Sequence, residues 1–392
     1  MASGVESLVT IGGTGKPYVN MESGNSSVQD DDFWEKVLTD KRLQRYDAVE
    51  VAIVTAVMPC IMVVGLVTNF TFLFVMYRVA WMRTNVNAYL FNLAIADILV
   101  LTLGVGDKLW HYMETPFMLD EAFRGTVGCV LIDLLLDSVY FTGLFLVTLV
   151  SLHRFNAVCR PHSGSHQQNK ASTRRWIAGA WLGGILLASS LVPSYCVLTL
   201  YDIPAWPDTP KYSQLPQVIG FCQPIEDWMP TAVNLVQTVP FFVAMTANTL
   251  MYIRIIMSLN HIVAKGSEFG CKDVNERIRN RVTKMLVANG CVFFMCLFPF
   301  ELTSLLSVSG GVEINVAWSH CVRMLLYINS TVNPIIYGVT NSKYRKAYAL
   351  AYACYKSKSS DMVKYELSIP LNRMKDRPTT AVTDCRVRGG DS

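Results

Sequence analysis

The run Tyr327-Ile328-Asn329-Ser330-Thr331-Val332-Asn333-Pro334-Ile335-Ile336-Tyr337 decides how the chain is read. It belongs to an apolar segment, 317–339, long enough to cross a bilayer, which takes about 20 residues. Six more such segments precede it, at 49–77, 86–109, 127–155, 175–199, 229–258 and 281–307. The third and sixth hold acids (Asp133, Asp137 and Glu301), so they cannot face lipid on every side. Only a bundle with a shielded interior accommodates them. The expected fold class is an all-α membrane protein, a bundle of seven transmembrane helices followed by an amphipathic eighth helix.

The composition agrees. Apolar residues make up 52% of the 392, charged residues 16%, and mean hydropathy is +0.31. Soluble domains carry roughly 25% charged residues, so an ordinary globule of this length would struggle to cover its surface. The same numbers exclude disorder for the middle of the chain. The connections divide by charge. Arg78, Arg83, Arg160, Lys170, Arg174, Arg175, Lys265, Arg277, Lys284, Lys343 and Arg345 fall on one side. Asp30, Asp31, Asp32, Glu114, Asp120, Glu121, Asp202, Glu226 and Glu313 fall on the other. The positive-inside rule makes the first set cytoplasmic. The chain is thus expected in the plasma membrane, amino terminus outside and carboxyl terminus inside. Residues 1–48 read as an extracellular tail, 49–340 as the bundle, 341–355 as the amphipathic helix and 356–392 as a cytoplasmic tail. Residues 1–48 lack the apolar core of a cleavable signal peptide, so the first span is expected to direct insertion. The net charge of +4 is explained by the cytoplasmic basic residues and calls for no nucleic acid. No internal repeat suggests a transporter.

Two motifs narrow the class. Segment two reads Asn92-Leu93-Ala94-Ile95-Ala96-Asp97, and segment seven contains Asn333-Pro334-Ile335-Ile336-Tyr337. Between them stand His153-Arg154-Phe155 with Pro161 beyond, Trp181, Pro240, and Phe293 with Cys296-Leu297-Phe298-Pro299. With these landmarks in order, residues 49–355 resemble the rhodopsin-like class of G-protein-coupled receptors. The resemblance implies an extracellular ligand, a heterotrimeric G protein at the inner face, and arrestin and a receptor kinase acting on the tail. It implies no enzymatic step, and the sequence offers no P-loop, no metal-ligand cluster and no paired nucleophile and base. His153 and His261 stand among basic residues.

The resemblance also assigns residues. It implies a disulfide between Cys129 and Cys222. Cys129 lies 25 residues before Arg154, about 37 Å along a helix, so the two mark opposite membrane faces. Cys196 and Cys321 are a second candidate outer pair, while Cys60, Cys291 and Cys296 read as small core residues. Asp97 is the family's sodium-coordinating acid, with Asn329, Ser330 and Asn333 as matching partners and Gly143 where a serine is usual. The other reading keeps Asp97 neutral or hydrogen-bonded within the bundle. For activation the set is His153, Arg154, Phe155, Pro161, Pro240, Asn248, Phe293, Leu297, Pro299, Asn333, Pro334 and Tyr337.

Three of these depart from the family's pattern. His153 replaces an acid that would hold Arg154, and Arg279, twenty residues before Pro299, replaces another. The expected result is a weaker inactive state with basal signalling, unless other polar contacts restrain Arg154. Leu297 stands in place of a tryptophan, so Phe293 and Phe298 are expected to pack against Leu144 and Pro240 instead. Asn248 stands where tyrosine is common.

Position also tests the ligand class. Tyr327 occupies the site of an opsin's lysine, and Leu136 that of an amine receptor's aspartate. A peptide receptor remains. Asp133 and Asp137, at i and i+4, share a helix face. Asp107, Lys108, Glu301 and Arg323 are expected around the same cavity, with Leu136, Tyr140 and Tyr327 as its neutral members. A peptide amine or guanidinium suits Asp137 and Glu301, and a carboxylate or amide carbonyl suits Arg323. Alternatively Arg323 pairs with Glu301, or Lys108 with an acid, inside the empty bundle. The acid of segment three and the run from Tyr327 to Tyr337 resemble the neuropeptide branch, among it the neuromedin U, ghrelin, thyrotropin-releasing hormone and neurotensin receptors. Receptors for short amidated invertebrate peptides, and an atypical scavenger or arrestin-biased receptor, remain open. Asn25-Ser26-Ser27 is a glycosylation sequon, and Cys354 is a palmitoylation candidate after the amphipathic stretch.

Overall fold

The computed structural model describes residues 43–160, 170–203, 206, 213, 215–268, 274–308 and 316–353. Its helices are α1 (Ala48–Arg78), α2 (Asn85–Glu114), α3 (Gly125–Cys159), α4 (Lys170–Leu191), α5 (Met229–Glu268), α6 (Val274–Val308), α7 (Val316–Thr340) and α8 (Ser342–Tyr352). Two antiparallel strands, β1 (Val197–Asp202) and β2 (Val218–Gln223), lie between α4 and α5.

The ends are set by local chemistry. The Asp47 carboxylate accepts the Glu50 amide at 2.7 Å while Glu50 accepts that of Asp47 at 2.9 Å, a capping box that starts α1. Thr84 caps α2, and Asn341 caps α8 through the Lys343 amide at 2.9 Å. Pro240, Pro299 and Pro334 sit inside α5, α6 and α7. Each removes a ladder hydrogen bond.

Six of the described helices are long and apolar enough to cross a membrane. The seventh, α7, packs among α1, α2 and α6. Small residues allow the close contacts. A Cβ at Gly65 would fall 2.4 Å from Leu101 and 2.6 Å from Thr331, and one at Gly184 would fall 2.7 Å from the Ser138 carbonyl. The Asn69 side chain donates to the Ser330 carbonyl at 2.8 Å, and the Trp181 indole donates to Asn92 at 3.1 Å. The main core joins Phe72, Tyr89, Leu144, Phe241, Phe293 and Tyr337. The perimeter is an apolar belt (Val67, Phe70, Leu186, Val243 and Leu250 are all exposed) of the kind that faces lipid.

Three expectations change. Segment four does not remain helical to residue 199. The helix gives way to a 3-10 turn at Val192–Ser194, where Pro193 sits, and Val197 begins a strand. Cys60 and Cys291 lie on the exposed perimeter rather than in the core, while Cys296 is half-buried. Cys196 and Cys321 are unbonded.

Candidate functional site

At the end of the bundle that carries the strands, Cys129 and Cys222 form a disulfide joining α3 to β2. Beside it lies a buried ionic cluster. The Arg124 guanidinium donates to Asp107 at 2.5 Å and to Glu121 at 2.9 Å, and lies 3.5 Å from Asp133. Lys108 pairs with the other Asp107 oxygen at 3.2 Å. The Arg124 side chain is 3% exposed and that of Asp107 4%. Arg124 holds its place because Gly125, with φ at 63°, turns the chain into α3 immediately behind it. The second Glu121 oxygen accepts the Cys222 amide at 2.9 Å. Asp120 accepts the amides of Ala122 and Gly220 at 3.0 and 2.9 Å, and Thr115 donates to it at 2.8 Å. Gly220 is required there, since a Cβ would lie 2.7 Å from the Ala122 backbone.

Below this cluster opens a cavity of about 300 Å³. Asp107, Lys108, Asp133, Leu136, Asp137, Tyr140, Arg323 and Tyr327 all line it. Glu301 stands directly behind the wall. Tyr140 donates its hydroxyl to one Glu301 oxygen, and the other oxygen is enclosed without a hydrogen-bond partner. Arg124 and Lys108 offset Asp107 and Glu121. Asp133 shares Arg124, so Asp137 lines the cavity without a paired cation among the described residues, and Arg323, also in the lining, makes no ion pair among them. Of the two internal pairings expected, Lys108 therefore finds its acid and Arg323 does not reach Glu301.

Deeper, Asn333 donates to Asp97 at 2.8 Å. The side-chain oxygens of Asn329 and Asn333 are buried without donors. Asp97, Gly143, Asn329 and Ser330 line the floor of the same cavity.

At the opposite end Arg154 is half-buried, with its Nε enclosed and no carboxylate in ion-pair reach among the described residues. The His153 ring meets Tyr89 edge-on at 6.3 Å. Phe155 packs beside Val158 and Tyr252. Asn248 reaches across to the Thr148 hydroxyl at 3.0 Å. The Tyr252 hydroxyl lies 2.7 Å from Ser151 on α3, and its ring fills the space over Gly290 on α6. Tyr337 is buried against Phe72 and Tyr344 at 5.4 and 5.7 Å. Burial raises the phenol pKa of Tyr344, which stays protonated and donates to Asn87 at 2.6 Å.

Phe293 and Leu297 join the core with Leu144, but Phe298 is 38% exposed and meets Phe242 rather than Pro240. Pro161, Asn25 and Cys354 lie outside the described residues. Sequence reasoning missed Arg124, Asp120, Tyr252 and Gly290. Arg124 and Asp120 were legible only as loop charges, and nothing in the local sequence marked the other two.

A family model described as the seven-transmembrane receptors of the rhodopsin family matches residues 68–337. Neuromedin-U receptor 2 of Mus musculus is 27% identical over 307 residues, covering 75% of this chain and 74% of its own. Neuromedin-U receptor 1 of Homo sapiens is 27% identical over 313 residues, with 74% and 70% covered. Somatostatin receptor type 5 of Bos taurus is 27% identical over 288 residues, with 73% and 72% covered.

Proposed function

From its membership of the rhodopsin family of seven-transmembrane receptors, in which this multi-pass chain is a receptor and not an enzyme, we propose that it binds an extracellular peptide at its disulfide end and activates a heterotrimeric G protein at the Arg154 end. The carrying observation is the imbalance of charge in the cavity. Asp137 in the lining, and Glu301 behind Tyr140, have no cation paired with them among the described residues, and Arg323 lines the same cavity unpaired. A peptide amine or guanidinium supplies the missing positive charge at Asp137 and Glu301, and a carbonyl or carboxylate of the same ligand meets Arg323. The relatives named for neuromedin U and somatostatin support a peptide.

The G protein enters beneath Arg154, Phe155 and the α5 and α6 ends. Hydroxyls of the 356–392 tail are the proposed substrates of a receptor kinase and the docking points of arrestin. The buried oxygens of Asp97, Asn329 and Ser330 are the hard donors that suit a sodium ion, although Gly143 contributes none. Bound there, sodium would supply positive charge to neutralise Asp97.

The test is G-protein activation in cells exposed to amidated neuropeptides. Asp137→Asn or Glu301→Gln is expected to raise the half-maximal concentration of an active peptide at least about 30-fold, since losing one partner of a buried charge pair costs about 2 kcal/mol or more. Unchanged potency in both variants would refute the ionic role. A second reading, high basal activity, follows from Arg154 lacking an acid. His153→Asp is then expected to lower ligand-free nucleotide exchange by restoring one, and equal basal exchange in the two proteins would exclude this reading. A chain that binds peptide and activates no G protein would instead be a scavenger or arrestin-biased receptor.

A further inference from the structure

The two strands of the hairpin differ in how their outer edges are used. Their register sets Leu198 opposite Cys222, Leu200 opposite Gly220 and Asp202 opposite Val218. In an antiparallel pair, opposite residues alternate. One couple exchanges both backbone hydrogen bonds, and the next turns its amides and carbonyls outward. Contacts on the far side of β2 fix which couples are which. The Gly220 amide donates to Asp120 at 2.9 Å, its carbonyl accepts the Glu121 amide at 2.7 Å, and the Cys222 amide donates to Glu121 at 2.9 Å. Gly220 and Cys222 therefore point away from β1. Ile203, the next residue after β1, donates to the Gln217 carbonyl at 2.7 Å, which places the exchanging couples at the alternate positions. Leu198, Leu200 and Asp202 must then point away from β2. Their outward backbone groups meet no partner among the described residues.

The edge of β2 is thus covered and that of β1 is open. Strand edges are ordinarily guarded by lysine, proline or a bulge. Val197-Leu198-Thr199-Leu200-Tyr201 has none of these and only Asp202 beyond it, and Leu200 is 49% exposed. The complement of such an edge is another extended backbone. Residues i and i+2 of an added strand match Leu198 and Leu200, which stand about 7 Å apart along the strand.

The hairpin also belongs to the rim of the cavity. Cys222 is bonded to Cys129, and Glu121, which holds the Cys222 amide, lines the cavity itself. From Asp137 to Cys129 is eight residues of α3, about 12 Å of helix. An extended chain covers that rise in about four residues, at 3.3–3.6 Å each. A longer peptide anchored at Asp137 has chain to spare at the level of the hairpin. Because β2 is fastened, the edge is preformed and little ordering is lost when a strand is added.

We propose that β1 is a strand-addition site, where an extended segment of a peptide lying outside the cavity pairs with the backbone of Leu198 and Leu200. The occupant rests on the peptide-receptor reading, but the edge itself is tested without any peptide. In the purified full-length receptor, hydrogen exchange read at single residues is expected to be about tenfold or more faster at the Leu198 and Leu200 amides than at Thr199 and Tyr201, which are paired. Equal protection of all four would overturn the open edge.

The probes for the occupant are neuromedin U and somatostatin, for which the relatives are named. A bound peptide is expected to slow exchange at Leu198 and Leu200 about tenfold or more and to leave Thr199 and Tyr201 unchanged. N-methylation along that peptide is expected to weaken binding about fivefold at alternate residues of its outer segment, the effect of one backbone hydrogen bond, and not at the residues between. Leu200→Pro removes an outward N–H that an edge strand can spare. It is expected to reach the cell surface as the wild type does and to bind the peptide about fivefold more weakly, whereas Thr199→Pro breaks the hairpin and is expected to reach the surface poorly. A peptide that binds without slowing exchange at Leu198 and Leu200, or whose N-methylation losses lack the two-residue period, overturns strand addition and leaves the peptide reading standing. Protection that grows with receptor concentration and needs no peptide assigns the edge to a second copy of the chain and overturns the proposal as well. An open edge with no peptide bound, from these two or from the amidated panel, removes the peptide reading and this occupant with it.

Discussion

Arg124→Ala is expected to lower stability by about 3–5 kcal/mol, the usual effect of removing one partner from a buried ion pair. Its guanidinium serves three acids from separate places. Asp107 belongs to α2, Glu121 to the connection, and Asp133 to α3. Without it, Lys108 remains on Asp107, but Glu121 and Asp133 lose their only cation among the described residues. Two carboxylates are then left against each other at the root of the disulfide strand. The measurement is thermal unfolding of the purified receptor together with its surface abundance. Arg124→Lys is expected to recover only part of the loss, since an ammonium cannot fork between Asp107 and Glu121. Adding Glu121→Gln to Arg124→Ala is expected to recover more, because the amide oxygen still accepts the Cys222 amide while one charge disappears. A stability change below about 1 kcal/mol for Arg124→Ala, the level of an exposed pair, would show that the cluster is solvated and does not hold the fold.

The second large effect is expected at Gly290. A methyl group there would lie 1.7 Å from the Tyr252 oxygen and 2.6 Å from Cζ, so the ring cannot stay. Overpacking of this kind costs about 1–3 kcal/mol. The displaced phenol also gives up Ser151, which is buried. The contact that closes α5 and α6 onto α3 at the Arg154 end is thereby wedged open. Gly290→Ala is expected to raise basal nucleotide exchange while lowering the unfolding temperature. Tyr252→Ala in the same chain removes the obstruction but leaves a cavity among Val158, Ile255 and Leu259 that costs about 3–5 kcal/mol, so it is expected to restore neither the stability nor the low basal rate, since the tie to Ser151 is gone. Wild-type behaviour of Gly290→Ala in both assays would mean that Tyr252 has another resting place and latches nothing.

Much of the architecture was legible because it rests on patterns that tertiary contacts do not override. Apolar length defined the spans, and the motifs around Asp97 and Asn333 were read together before the structure joined them by a hydrogen bond. Cys129 and Cys222, 93 residues apart, were paired by resemblance. What hydropathy could not see was a change of backbone at constant composition. Residues 197–201 are nearly as apolar as the helix before them, and only Pro193 and the β-branched and aromatic residues that follow separate strand from helix. The ionic cluster was hidden for a different reason. Its members lie in different elements, and which acid a loop arginine reaches depends on how three segments meet. Phe298 was misplaced because one helical position decides whether a ring faces Pro240 or the perimeter. Gly290 looks like any helical glycine until Tyr252 arrives from another helix.

The strand pair is fastened along β2. The disulfide holds Cys222, Glu121 holds its amide, and Asp120 holds Gly220. A roof fixed at these points cannot swing aside as a flap each time a ligand arrives or leaves. Traffic must thread a mouth of constant width, so arrival and departure slow together. Such a receptor would measure the history of its ligand as much as its present concentration: brief pulses would register weakly, and a ligand once seated would outlast its own clearance from the surroundings.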